Sequence, residues 1–489
     1  MSSDALNFDD IQGDILVGLP KRVQQYIIFQ IGSNVAGFKQ ALTQLLPLIT
    51  TTTQAMQNRA AIAANKKAAQ EQGKTPELLK MSGVNIAFSH VGLAALGIND
   101  NIHDDLFTNG QQADAQSLGD PGTSSGFPIS HFTPSWDPAF LNKTHGVIII
   151  AGDSDDTVAS VRKQVEAIFN VGGFNATLSE VITLSGSVRP GDQKGHEHFG
   201  FMDGISQPAV QGVDTSPNPG QDTVHQGVIL CKRDNDNTSL LRPAWAKDGS
   251  FLVLRYLFQL VPEFNVFLQS NPIKEASLTP EQGSELLGAR LMGRWKSGAP
   301  VDIAPFQDDP VLAADPLRNN NFNYTAENDN RGANCPLAAH TRKGNPRHDL
   351  QDMPIPIPLE PHRIIRRGIP FGPEVTADEA ASGKTNQSRG LIFVCYQSNL
   401  ADGFTFIQKT WANQPLFPLK GLAPPVPVPG FDAIIGQATD ETSRTIAGTD
   451  PLNSTGTLHL PTEWVVPRGG EYFFSPSLPA LRSTFAQAS

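Results

Sequence analysis

One order of elements occurs twice along this chain, and it narrows the possible folds more than any composition does. Val23 to Ile31 (VQQYIIFQI) is rich in β-branched and aromatic residues, which predicts a strand. The Ala- and Gln-rich stretch from Val35 to about Gln72 predicts a helix. Val84 to Ser89 reads as a second strand. His145 to Ala151 (HGVIIIA), a short apolar run next to glycine, reads as a buried one. Thr157 to Phe169 then follows as an amphipathic helix, with Asp155 and Asp156 favourable at its N-terminus. The second half repeats the order. Ser250 to Leu260 (SFLVLRYLFQL) is a strand. A helix starts at Thr279-Pro280, with Thr as N-cap and Pro in the first turn. Arg363 to Arg367 and Gly390 to Gln397 (GLIFVCYQ) are strands, and Asp402 to Trp411 is a helix.

Two such sets predict an α+β chain of two split β-α-β units, each a ferredoxin-like domain, at 1–240 and 241–489. The 489 residues are more than one hydrophobic core usually holds, which fits two units. Two long irregular regions, Pro208 to Asp248 and Asp302 to Pro361, interrupt the pattern. Loops of that length are functional more often than they are plain connections.

The net charge of −11 argues against nucleic acid as a partner, because phosphate binding needs clustered Lys and Arg. No run approaches the roughly 18 apolar residues of a membrane helix. Cys231, Cys335 and Cys395 are odd in number and lack CxxC spacing, so buried free thiols are expected rather than disulfides or zinc. Met1-Ser2-Ser3-Asp4 opens on a polar segment without the apolar stretch of a secretory leader, which leaves a cytosolic protein or a mature form. Six N-x-S/T sequons, at Asn142, Asn175, Asn237, Asn323, Asn386 and Asn453, lean weakly towards secretion.

The chemistry concentrates on a few segments. Gly200-Phe201-Met202-Asp203-Gly204 puts a carboxylate between two glycines, which let a backbone adopt positive φ or approach a flat ligand. His340 stands in Ala339-His340-Thr341-Arg342, and an imidazole is a ready metal ligand. Arg342 and Arg347 are both suited to pairing with carboxylates, and Arg347 is preferred. In Arg363-Ile364-Ile365-Arg366-Arg367, strand alternation sets Ile364 and Arg366 on one face and Arg363, Ile365 and Arg367 on the other. Leu391, Phe393 and Cys395 share a face of the next strand. Asp432 is a carboxylate in an apolar setting, the kind of group that accepts the second N–H of a ligating histidine. His196 and His198 form an H-x-H that would share a strand face, a possible non-haem metal site for an oxygenase. Asp349, Asp352 and Glu360 are a possible Mn²⁺ site. Trp411 and Tyr396 are candidates for losing an electron, Trp411 from an exposed position.

Together, GFMDGISQP, the segment from Cys335 to Arg347, RRGIPFG and the early FDDIQGDI resemble the dye-decolourising peroxidase family, in its fungal form, over nearly the whole chain. The resemblance implies two four-stranded antiparallel sheets with peripheral helices, arranged like a dimeric α+β barrel, and haem b in the second domain. It implies Asp203 as distal acid and base, and His340 as proximal iron ligand. Arg366 becomes the charge stabiliser, with Arg363 and Arg367 as fallbacks. Gly204, Ile205, Leu391 and Phe393 would lie beside the haem. Arg347 would hold a propionate, Asp432 would orient His340, and Trp411 would pass electrons from bulky substrates. Hydrogen peroxide, aromatic dyes and phenols are the implied substrates, and secretion the implied location. Phe371 stands where the family often has Tyr, which removes one radical site. A haem-carrying or iron-delivery protein on the same fold is the alternative from another class.

Overall fold

A computed structural model describes residues 5–126, 131–325, 332–351, 356–418, 428–437 and 444–487. The first half supplies strands β1 (Val23–Ile31), β2 (Ser82–Phe88), β3 (Gly146–Gly152) and β4 (Leu178–Ser187). Between them run helices α1 (Val35–Leu45), α2 (Thr52–Glu71) and α3 (Asp155–Phe169). The second half supplies β5 (Ser250–Gln259), α4 (Pro280–Met292), the short helix α5 (His340–Gly344), β6 (Ile365–Arg366), β7 (Ile369–Phe371), β8 (Gly390–Gln397) and β9 (Val465–Ser475).

Local chemistry sets most of these boundaries. Thr51 and Gln54 form a reciprocal capping box at the start of α2, and Thr279 and Gln282 do the same for α4. Ser154 caps α3 through the Thr157 N–H. The single helix expected from Val35 to Gln72 is two, because Pro47 lacks the N–H that would continue it and the chain makes a tight turn at Leu46–Leu48. The strand expected over Arg363 to Arg367 is only Ile365–Arg366. The helix expected over Asp402 to Trp411 is one short α turn, Phe404–Phe406, followed by a wide π turn, Ile407–Ala412. β4 and β9 were not anticipated from sequence.

The strand order is β6–β8–β5–β9–β2–β3–β1–β4, with β7 also pairing β8. Each half therefore carries the order second, third, first, fourth, antiparallel throughout. This is the order of the split β-α-β unit. The halves join edge to edge where Phe474 of β9 stands opposite Phe88 of β2. The outer edges also meet. A Cβ added at Gly186 of β4 would lie 2.5 Å from Ile369 Cγ2 and 2.8 Å from the Pro370 carbonyl oxygen of β7. The result is an α+β barrel.

Period-2 alternation divides the core accordingly. Tyr26, Ile28, Val147, Ile149, Leu252, Leu254, Ile392, Val394 and Tyr396 share one buried cluster, drawn from both halves. Ile27, Phe29, Ile148, Ile150, Phe251 and Val253 point the other way and pack against Phe38 and Leu42 of α1 and Val158, Val165 and Phe169 of α3. None of the three cysteines is in a disulfide, and all are buried. Among the described residues no helix is long and apolar enough to cross a membrane.

Candidate active site

The site is a cavity of about 290 Å³ that takes walls from both halves. One wall is the loop from Gly195 to Gln207. Glu197, half-buried inside that loop, accepts hydrogen bonds from the Phe199 and Phe201 N–H groups at 2.9 Å and from Gln259 Nε2 at 2.5 Å. Those bonds curl the backbone tightly, and Gly200 (φ 94°) and Gly204 (φ 78°) take the left-handed conformations that the curl requires. Asp203 emerges at its tip. Its Oδ1 accepts from the Gly204 N–H at 2.6 Å and from Arg366 Nη1 at 3.1 Å. The two side chains are 40% and 32% accessible, so a small solute can reach both. Gly204 and Ile205 line the same cavity.

Across the cavity stands His340, the first residue of α5. Its Nδ1 lies 2.8 Å from Asp432 Oδ2. Asp432 is fully buried, and its Oδ1 accepts from the Ile434 and Ile435 N–H groups at 2.8 and 2.9 Å. Burial pushes the Asp432 carboxyl up, but His340 and these N–H donors outweigh it and hold the carboxyl below its usual range. Burial likewise pushes His340 down, and the Asp432 carboxylate overcomes it, so the imidazole sits above its usual value. With Nδ1 committed to Asp432, Nε2 is the ring nitrogen available to a ligand. This is how a carboxylate usually orients a ligating histidine.

The remaining walls are apolar or cationic. Leu391 and Phe393 of β8 line the cavity on one face of the strand, and Cys395 on that same face lies in the helix-side core. Ile364 and Arg366 also face the cavity, while Ile365 packs in the barrel and Arg367 donates to the Asp14 and Leu16 carbonyls at 2.8 Å. Arg363 lies ahead of β6 and lines the cavity as well, with Nη2 at 2.5 Å from Asp222 Oδ2. Arg347 is buried, stacks 3.9 Å over Phe322 and bonds the Phe322 carbonyl at 2.8 Å and Asn320 Oδ1 at 2.6 Å. Arg294 bonds the Asn319 carbonyl at 2.7 Å and Asn320 Oδ1 at 3.1 Å. Neither guanidinium has a carboxylate partner among the described residues. Burial, then the neighbouring Arg347, lowers Arg294 to about 10. Two buried cations on one wall without a directly bonded carboxylate suit an anionic ligand. Arg342, by contrast, is committed to Asp349 at 2.6 and 2.8 Å. The cavity thus suits a ligand with an apolar body and anionic groups near Arg347 and Arg294, within reach of His340.

Three expectations need correction. Trp411 is not exposed: it is 1% accessible, stacked on Phe417 at 5.5 Å and packed with Leu350. His196 forms an isolated antiparallel bridge with Met202 and His198 lies in the turn it closes, so the two do not share a strand face. His198 Nε2 bonds the Phe371 carbonyl at 2.8 Å, and among the described residues no group of three or more candidate ligands gathers. The proposed Mn²⁺ cluster is dispersed, since Asp349 pairs with Arg342 and Glu360 Oε1 lies 2.5 Å from His225 Nδ1. Asp352 lies outside the described residues. Tyr396 is buried, with its hydroxyl 3.1 Å from Asp14 Oδ2. Arg294, Glu197 and the structural part of Gln207 went unnoticed in the sequence. The Arg294 signal was only an arginine just past the apolar end of α4, which fits many surface positions equally well.

Comparison with known proteins places this site in context. A family model described as the DyP dimeric alpha+beta barrel domain matches residues 10–190, and one described as Dyp-type peroxidase, C-terminal, matches residues 289–416. Dye-decolorizing peroxidase msp1 of Mycetinis scorodonius is 44% identical over 503 aligned positions, covering 99% of this chain and 89% of its own. The solved structure of an ancestral D-type dye decolorizing peroxidase is 57% identical, with a TM-score of 0.91 over 99% of this chain and 100% of that one. A dye-decolorizing peroxidase solved in complex with 2,6-dimethoxyphenol is 43% identical, with a TM-score of 0.84 over the same shares.

Proposed function

The chain belongs to the dye-decolourising peroxidase family and is a peroxidase; from that premise we propose how its own residues carry the reaction. The cavity residues fit haem b, which when bound at His340 Nε2 supplies the iron at which hydrogen peroxide is reduced and the oxidising equivalents that substrates then consume. His340 is held in one tautomer by Asp432. Arg347 and Arg294 would hold the haem's carboxylates. Leu391 and Phe393 keep the open side apolar and dry beside Gly204 and Ile205. Asp203 takes the proton from the near oxygen of peroxide and returns it to the far oxygen, so that the leaving group departs as water. Arg366, 3.1 Å from that carboxylate, stabilises the negative charge that grows on the departing oxygen. The observation that carries this reading is that an acid–arginine pair and a carboxylate-oriented histidine line one cavity.

The reducing substrates are aromatic dyes and phenols, in keeping with the names of the relatives and with the dimethoxyphenol complex. For those too bulky for the cavity, Trp411 serves as an interior relay. His362 lines the cavity and stacks on Phe406 at 3.7 Å, and Phe406 meets Trp411 edge-on at 5.4 Å. The division near residue 240 separates the Asp203-bearing unit from the haem-binding one. The protein is read as secreted, a location favoured by the family and by six sequon asparagines that are all exposed. The test is direct. Protein produced with ample haem should show a Soret band and oxidise 2,6-dimethoxyphenol and an anthraquinone dye only when peroxide is added. Haem-replete protein without peroxide-dependent turnover would refute the assignment.

A further inference from the structure

Four hydrogen bonds tie Arg366 to the loop that carries Asp203, and they are of two kinds. Two come from the guanidinium, to Asp203 Oδ1 at 3.1 Å and to the Ser206 carbonyl at 2.9 Å. The other two hold the backbone of Arg366 and come from one side chain: the Arg366 N–H donates to Gln207 Oε1 at 3.1 Å, and Gln207 Nε2 donates to the Arg366 carbonyl at 3.0 Å. β6 is two residues long, and among the described strands it pairs only with β8. Its other edge would leave an N–H and a C=O unpaired. The primary amide of Gln207 offers one donor and one acceptor, and so fills that edge as a neighbouring strand would. Lys21 secures the next turn by donating to the Arg367 carbonyl and to the Gly368 carbonyl at 3.0 Å.

We propose that Gln207 is a positioning residue that sets Arg366 in register with Asp203. It lines the cavity, but both ends of its amide are committed to the backbone of Arg366, and it acts through that backbone. Asp203 and Gln207 sit four residues apart on one loop, so this clamp fixes the arginine relative to the acid instead of relative to the barrel. A long guanidinium on a loose two-residue edge strand would otherwise wander. The proposal rests on the peroxidase reading of the site.

The test uses haem-loaded Gln207→Glu and Gln207→Leu, measured beside the parent for the rate of reaction with peroxide across pH and for affinity towards cyanide, an anion of the open face. Near neutral pH the Glu variant presents an ionised carboxyl to the Arg366 carbonyl, close to the Arg366 guanidinium, the Asp203 carboxylate and the Lys21 ammonium. Its peroxide rate should fall by up to roughly 100-fold, the effect of about 1 Å of misplacement, and cyanide should bind more weakly. As pH drops towards about 4.3, the ordinary glutamate value, the protonated carboxyl regains a donor, and the ratio of variant to parent should climb back. The Leu variant should show the deficit without that recovery. If it fails to fold, the Glu variant decides alone. A Glu variant with parental peroxide rates and cyanide affinity at every pH overturns the proposal. So does a deficit that is flat with pH and leaves cyanide binding untouched, because that would be general loss of packing. A parent without a Soret band would instead refute the peroxidase reading itself.

Discussion

Asp203 and His340 owe their roles to their immediate partners. Asp203 is held at a tip where Arg366 reaches it, and His340 is held by a carboxylate with two further donors of its own. Both residues stood in recognisable strings, as did Arg366. Asp432 was legible only as a carboxylate in an apolar run, yet it lies 2.8 Å from His340. Arg294 was illegible, because which arginine faces a cavity depends on contacts made by distant segments. Trp411 was misjudged for the same reason: the chain around it is ordinary, and its burial comes from Leu350, Phe417 and Phe406. His198, once a candidate metal ligand, is a structural group with a pH signature. Burial, then Arg189, lowers it to about 4, and Nε2 bonds the Phe371 carbonyl. The folded value lies below the unfolded one of about 6.5, so the unfolded chain binds the proton more readily between them. Stability should therefore fall by up to about 3 kcal/mol as pH drops from about 6.5 to about 4. His198→Gln keeps a donor but cannot titrate, so its denaturation midpoint should depend less on pH across that window. An unchanged slope would remove His198 from the account.

Elements with clear chemistry were read correctly, and elements set by long-range pairing were not. Capping residues and apolar runs marked β1, β3, β5, β8 and α4. β4 begins Leu178-Ser179-Glu180, with two exposed polar residues, and β9 is broken by a register shift between Pro467 and Gly470. Neither shows a clean alternation, and both become strands only because a neighbour pairs with them. At this scale the join between α4 and α5 is the most sensitive point. Gly293 ends α4 at φ 90°, and a Cβ there would lie 2.0 Å from Thr341 Oγ1, beside His340. Gly293→Ala must strain the backbone, at roughly 1–3 kcal/mol, and displace Thr341. Haem loss to apomyoglobin should then run faster than in the parent. A Gly293→Ala protein that keeps haem as tightly as the parent would show that α5 is not fixed by this contact.

The whole molecule is a barrel whose active site exists only when its halves are joined. The Asp203 loop comes from the first half, and His340, Arg366 and β8 come from the second. The sequence showed two repeated units. It did not show how they meet, because one facing pair, Phe474 and Phe88, and the close contact of Gly186 with β7 carry no local signature. Phe474 is fully buried, with its ring 5.4 Å from Phe251 and 5.6 Å from Trp245. Phe474→Ala should cost about 3–5 kcal/mol in chemical denaturation, whereas Leu240→Ala, at 97% exposure, should stay within about 0.5 kcal/mol. Equal effects from the two would contradict the role given to the seam. The central claim is that Asp203 moves the peroxide proton while Arg366 holds the developing charge. The measurement that tests it most directly is the stopped-flow rate of the Soret change on mixing haem-loaded protein with hydrogen peroxide, for the parent, Asp203→Asn and Arg366→Leu. The account predicts a slowing of roughly 10²–10⁴-fold for the first variant and roughly 10²–10³-fold for the second, each with haem still bound. Parental rates in both variants would contradict it.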